Sequence, residues 1–161
     1  MSIKVGDALP EATLISITPT GPAPLATRDL FSGKKVVLFG VPGAYTGVCT
    51  KQHMPGYVQE YDAMKAKDVD TVACLAVNDP AVLTAWANEC GADGKILMLS
   101  DWNADYVKKL GLDFDGTKFG LGIRSRRFSA IIDNGVLKEL NVEDVPAQVT
   151  SSGAAATLSQ L

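Results

Sequence analysis

The chain has 161 residues, with 18 carboxylates against 15 lysines and arginines and a single histidine. That slightly acidic balance argues against a nucleic-acid backbone or an anionic membrane surface as the main partner, because both select a basic face. Hydrophobic residues make up 47% and charged residues 20%, enough for one buried core in a single domain over residues 1–161 and too apolar for a disordered chain.

Taken in chain order, Met1 to Pro10 has neither the apolar core of a secretory signal nor the Arg/Ser richness of a transit peptide. No apolar run approaches the ~18 residues of a membrane span, so the chain reads as soluble. Ala12 to Ile17 is expected to be a strand. Thr18 to Pro24, with three prolines and a glycine, reads as a surface loop. Val36 to Val41 is an apolar, β-rich run suited to a strand covered on both faces, and Val69 to Val77 and Ile96 to Leu99 are two more. Between them lie stripes of helical period, Tyr57, Val58, Tyr61 and Met64, then Val82, Leu83, Trp86, Ala87 and Cys90. Phe128 to Ile132 and Val136 to Leu140 flank Asp133-Asn134-Gly135, where Asn-Gly marks a tight hairpin. A last helix is expected to start with Ser151 or Ser152 as its N-cap. The order predicts an α/β fold, a mixed central sheet with helices on both faces and a C-terminal antiparallel hairpin. Thioredoxin-like folds have this anatomy, as do other α/β folds, so anatomy alone does not define function.

The segment after Val41 carries the chemistry: Pro42-Gly43-Ala44-Tyr45-Thr46-Gly47-Val48-Cys49-Thr50-Lys51-Gln52-His53-Met54-Pro55. Thr46 is the expected N-cap of the following helix, which puts Cys49 in its first turn. There the unpaired N–H groups and the positive end of the helix dipole favour a thiolate, the form that attacks an electrophile. The glycines lack the spacing of a phosphate-binding loop. One histidine and no Cys-x-x-Cys pair argue against a zinc site. A cysteine-protease dyad lacks a separate orienting partner. Position alone leaves open whether Cys49 is a reactive thiol or an inert buried cysteine. Three cysteines cannot all pair in structural disulfides, which points to a reducing compartment.

Pro42-x-x-x-Thr46-x-x-Cys49 resembles the active-site signature of the peroxiredoxins, thiol peroxidases on a thioredoxin-like fold. Val-Pro-Gly-Ala-Tyr-Thr and His53-x-Pro55-Gly56-Tyr57 look like the type II, or peroxiredoxin-five-like, subfamily. The likeness continues through Cys74-Leu75-Ala76-Val77-Asn78-Asp79-Pro80, the Trp86 helix and Gly120 to Phe128. Gly47 departs from it, since proline usually follows the threonine there. The resemblance implies that Cys49 is the peroxidatic nucleophile and that Arg124 comes back over it to steer the peroxide. Thr46 would exchange hydrogen bonds with thiolate and peroxide, and Pro42 would wall the pocket. Arg126 or Arg127 would orient loops and carboxylates around Arg124, and His53 would be structural rather than a general base. Tyr45 and Phe119 would shape the pocket or an oligomer contact.

Regeneration of the sulfenic acid calls for another thiol. Some type II relatives have one in a Thr-Cys-Ser context near the C-terminus. This chain has Thr150-Ser151-Ser152 there. Cys74, in a strand as in plant-type members, is left open as an occasional resolver or a core residue, and Cys90 is expected to be structural. The resemblance thus implies a peroxidase for hydrogen peroxide and alkyl hydroperoxides, reduced by glutaredoxin with glutathione or by thioredoxin, acting as a homodimer without metal or cofactor. A redox relay or holdase using the same thiol is the alternative. The location expected is cytoplasmic, with Ser159-Gln160-Leu161 resembling a peroxisomal address and an organelle possible after removal of a transit peptide.

Overall fold

The apolar run at Val36 to Val41 forms an inner strand of the sheet, and alternate residues along it serve two separate cores. The computed structural model describes residues 2–161. Its strands are β1 (Thr13–Thr18), β2 (Gly21–Ala26), β3 (Lys35–Val41), β4 (Thr71–Ala76), β5 (Leu97–Ser100), β6 (Asp113–Asp115), β7 (Ile123–Ser125), β8 (Phe128–Asp133) and β9 (Val136–Val142). Helices are α1 (Thr27–Phe31), α2 (Met54–Lys65), α3 (Pro80–Glu89), α4 (Asp105–Leu110) and α5 (Ala154–Ser159). Among the described residues the main sheet runs β2-β1-β5-β4-β3-β8-β9, and β6 pairs with β7 apart from it. The β3/β4 and β4/β5 pairs are parallel, and the remaining neighbours are antiparallel.

Side chains alternate across a strand. Val37, Phe39 and Val41 therefore enter one core with Tyr57 and Met64 of α2 and Leu83 and Trp86 of α3. Val36 and Leu38 enter the other, with Leu30 and Phe31 of α1 and Tyr106, Val107 and Leu110 of α4. This is the thioredoxin-like mixed sheet, covered on both faces, with the Asn134-Gly135 hairpin at its C-terminal edge. Both turn residues have positive φ, 48° and 79°, the conformation that a two-residue hairpin of this hand requires.

Two local expectations are corrected. Residues 21–26 are a strand, β2, instead of part of a loop, with Pro22 opposite Ile17 and Pro24 opposite Ile15. Because β2 lies at the sheet edge, the two prolines, an even number of residues apart, can turn their missing N–H toward solvent. The last helix is capped by Gly153 without a side-chain bond, because the Ser152 hydroxyl is taken by Glu143. At the chain's end, Gln160 exchanges two amide hydrogen bonds with Asn141, and Leu161 packs against the first core.

Gly40 lets β8 approach β3. A Cβ there would run into the ring of Phe128 and stand 2.8 Å from Ser125 Oγ. Gly40→Ala is expected to lower stability by ~1–3 kcal/mol, the usual cost of overpacking a core, measurable by denaturant unfolding.

Candidate active site

The chain leaves β3 at Val41, turns through Pro42 to Tyr45 and is helical from Gly47 to Lys65. A proline inside that span, Pro55, cannot donate a hydrogen bond and would crowd the carbonyl of the preceding turn. The helix adapts by widening to a π-turn over Cys49–His53, where the Met54 N–H reaches the Cys49 carbonyl. Single wide turns of this kind recur at functional sites. Cys49 lies within the helix's first turn, as expected, and is fully buried. The Thr46 carbonyl receives the Thr50 N–H, but its hydroxyl does not cap the helix. It lies 2.7 Å from the Gly43 carbonyl and 2.9 Å from Cys49 Sγ. With one proton to give, it serves one of them at a time. A side chain at Gly47 would meet open space.

The second partner of the sulfur comes from the sheet. Phe128 opens β8 opposite Gly40 of β3, so the residue before it falls where the helix begins. That residue is Arg127, 2% exposed, with Nη2 donating to Cys49 Sγ at 3.1 Å. Its Nε donates to the Pro146 carbonyl at 2.8 Å, and its Nη1 lies 2.9 Å from His53 Nδ1.

Arg124, expected from the sequence to stand over the thiol, is directed elsewhere. Its Nε donates to the Leu121 carbonyl at 2.9 Å and its Nη1 to the Pro42 carbonyl at 3.4 Å. It sits on β7, paired with Phe114, and lies over Gly43, where a Cβ would come within 2.7 Å of Nη1. The guanidinium on the sulfur is therefore that of Arg127, while Arg124 ties β7 to the loop entering the site. Arg126 binds the Glu143 carbonyl at 3.3 Å.

An apolar cavity of about 400 Å³ is lined by Thr46 and Arg127, the two partners of the sulfur, with Pro42, Val48 and Leu121 among others. Phe119 is 72% exposed and Tyr45 46% exposed, the latter with φ of 64°. Trp86 Nε1 donates to the Thr50 hydroxyl at 3.0 Å, tying α3 to the π-turn.

Cys49, Cys74 and Cys90 are free thiols. Cys74 lies on β4 in the same core as Cys49, fully buried, and burial pushes its thiol well above the ordinary range. Cys90 is half-buried at the end of α3 and packs against that core.

Two further groups complete the site: His53, expected from the sequence to be structural, and Glu143, which sequence reading passed over. His53 is fully buried. Burial lowers its imidazole to about 4, helped by the positive charge of Arg127 and opposed by the Ser152 carbonyl. Glu143, 4% exposed, receives the N–H groups of Thr150 and Ser152 at 2.7 and 3.0 Å and the hydroxyls of both residues. Burial works to raise this carboxyl, but the hydrogen bonds outweigh it and hold the group at about 2.

A thioredoxin-like sheet presenting a buried cysteine at a helix start, between a threonine hydroxyl and a guanidinium, defines a thiol-based redox domain. Residues 4–158 match the Redoxin family. The chain is 42% identical over 155 residues to the chloroplastic peroxiredoxin-2E of Arabidopsis thaliana, and 46% identical over 133 residues to the mitochondrial peroxiredoxin-2F of the same plant. These alignments cover 94% and 83% of this chain and 66% of each relative. The crystal structure of reduced Prx3 from Vibrio vulnificus in complex with hydrogen peroxide superposes with a TM-score of 0.92 at 45% identity, covering 98% of both chains. The chain belongs to the peroxiredoxins, a family of thiol peroxidases, in the type II subfamily.

Proposed function

We propose that this chain reduces hydrogen peroxide and small organic hydroperoxides through Cys49. The observation that carries the reading is the sulfur held between Thr46 Oγ1 and Arg127 Nη2. The Cys49 thiolate attacks one peroxide oxygen. The S–O bond forms as the O–O bond breaks, and the leaving oxygen takes a proton to depart as water or alcohol, leaving a sulfenic acid. Arg127 supplies charge-assisted donors to the sulfur and to the oxygen on which charge develops. Thr46 accepts from the incoming peroxide once its own proton is on the sulfur. Pro42 walls the cavity, and Arg124 holds the Pro42 carbonyl in place. The V. vulnificus relative, solved with hydrogen peroxide, supports this substrate.

A reductant thiol, from glutaredoxin with glutathione or from thioredoxin, then attacks the Cys49 sulfur and releases water, and a second thiol resolves the mixed disulfide. Burial supports reading Cys74 as a core residue, since it raises the thiol well above its ordinary range and pairing with Cys49 would require local unfolding. Coupled assays of peroxide turnover with each reducing system test both points. Turnover is expected to continue well past one equivalent of peroxide, and Cys74→Ser is expected to stay within about twofold of the parent rate with at least one reductant, as a core cysteine outside the reaction should. Consumption that stalls at one equivalent would favour a redox relay, and loss of all turnover in Cys74→Ser would make Cys74 the resolver.

The exposed Phe119, Tyr45 and Val145 support a homodimer joined through loops around the site. Chloroplastic and mitochondrial relatives support an organellar or cytoplasmic location. Peroxisomal import by Ser159-Gln160-Leu161 would have to compete with the docking of Gln160 and Leu161 on the fold.

A further inference from the structure

Arginine only donates hydrogen bonds and a backbone carbonyl only accepts them. The 2.9 Å contact between Arg127 Nη1 and His53 Nδ1 therefore requires Nδ1 to be bare, and the 2.9 Å contact between His53 Nε2 and the Ser152 carbonyl requires Nε2 to carry the proton. The two contacts select one neutral tautomer. We propose that His53 is the positioning residue of this site, holding the Arg127 fork on the Cys49 sulfur with a bare Nδ1 whose tautomer the Ser152 carbonyl fixes.

Cys49 and His53 stand four residues apart on one turn, so they face the same side. Arg127 meets both at once, Nη2 on the sulfur and Nη1 on the imidazole. The imidazole cannot drift. Its ring lies 5.1 Å from that of Phe39 and 5.5 Å from that of Tyr57, and the Phe39 and Tyr57 rings are themselves stacked at 3.9 Å. The Ser152 carbonyl also accepts the Tyr57 hydroxyl at 2.8 Å, and Glu143 fixes the same residue through its N–H and hydroxyl. The charged and titratable groups around the ring are Arg127 at the head of β8, Glu143 beyond β9, Tyr57 on α2 and Cys49 on the ring's own turn. A proton on Nδ1 would set two donors against each other in a buried place, in keeping with the depressed imidazole. Three Arg127 N–H groups are committed to Pro146, His53 and the sulfur, and the residue also lines the cavity, so its remaining donors can meet a peroxide.

The proposal rests on the peroxidase reading, and its test separates the two. Because the chain has one histidine, ¹⁵N-histidine labelling gives an unambiguous imidazole spectrum. Nε2–H with a bare Nδ1, unchanged from pH 8 to about 5.5, is expected for an imidazole kept neutral by burial. Protonated Nδ1, or titration near 6.5, would overturn the proposal. His53→Leu removes the acceptor and is expected to slow oxidation of Cys49 by hydrogen peroxide by about tenfold to a hundredfold through misplacement of the guanidinium. His53→Asn, whose Oδ1 can replace Nδ1, is expected to recover most of that loss. In an Arg127→Met background, His53→Leu should add less than about twofold, because coupled residues are non-additive. Undiminished multiplication of the two losses, or His53→Leu at the parent rate while Arg127→Met is slow, would overturn the positioning role alone. Arg127→Met at the parent rate would instead bring down the reading of Arg127 and the proposal with it. If His53→Leu does not fold, the spectrum and His53→Asn carry the test.

Discussion

Replacing Arg127 with methionine is expected to lower the rate constant of Cys49 with hydrogen peroxide by about a hundred- to a thousandfold, the usual consequence of removing one donor from developing charge in a water-poor site. Competition against a haem peroxidase for a limiting pulse of peroxide measures it. The size follows from burial and geometry. Arg127 is 2% exposed and its Nη2 stands 3.1 Å from the sulfur, so no water can take its place without rearrangement. Arg127→Lys should recover little, because an ammonium cannot donate at once to the Pro146 carbonyl, His53 and the sulfur. Arg124→Met should cost about threefold to tenfold, since it loosens the backbone at Pro42 and removes no bond to the reacting atom. The two arginines are thus separable, and equal losses would contradict the roles given to them.

Acid is expected to destabilise the fold in two successive windows. His53 is held near 4 against an ordinary 6.5. As pH falls through 6.5 the unfolded chain takes up a proton that the folded protein refuses, so up to ~3 kcal/mol is lost by pH 4 and no more below it. Glu143 is held near 2 against 4.5. Its contribution is fully present above 4.5 and is lost as pH falls towards 2, again ~3 kcal/mol in all. Urea unfolding at intervals from pH 7 to pH 3 reads both. His53→Asn should flatten the upper window and leave the lower one, and Glu143→Gln should do the reverse from a lower starting stability. A profile flat between pH 6.5 and 4.5 in the parent protein would show that His53 is not held neutral.

The central strands, the hairpin at Asn134-Gly135 and the helical stripes of α2 and α3 were legible because each rests on local periodicity or turn chemistry. Cys49 and Thr46 were legible because they share one short segment. The choice among Arg124, Arg126 and Arg127 was not, because it depends on pairing across the sheet: Phe128 meets Gly40, and that register alone sends Arg127 to the sulfur. The edge strand β2 was hidden by Pro22 and Pro24, which deny a central strand but not an outer one. The π-turn over Cys49–His53 was not expected from the sequence, although Pro55, a proline within a helical span, was a signal that could have pointed to it. His53 was legible as a structural residue but not in its contact with Arg127, and Glu143 had no local signature at all. Their partners lie far along the chain, and only the folded C-terminal segment brings Ser152 between them.

The tie between Trp86 and Thr50 gives the protein an optical gauge of its own. Of its two tryptophans, Trp86 is fully buried with its indole N–H on the residue next to the nucleophile, and Trp102 is 61% exposed. Iodide can quench the outer indole and leave the inner one to emit. A loosening of the turn that carries Cys49 would break a hydrogen bond to the remaining fluorophore, so a change in that turn is expected to register in the emission without a label.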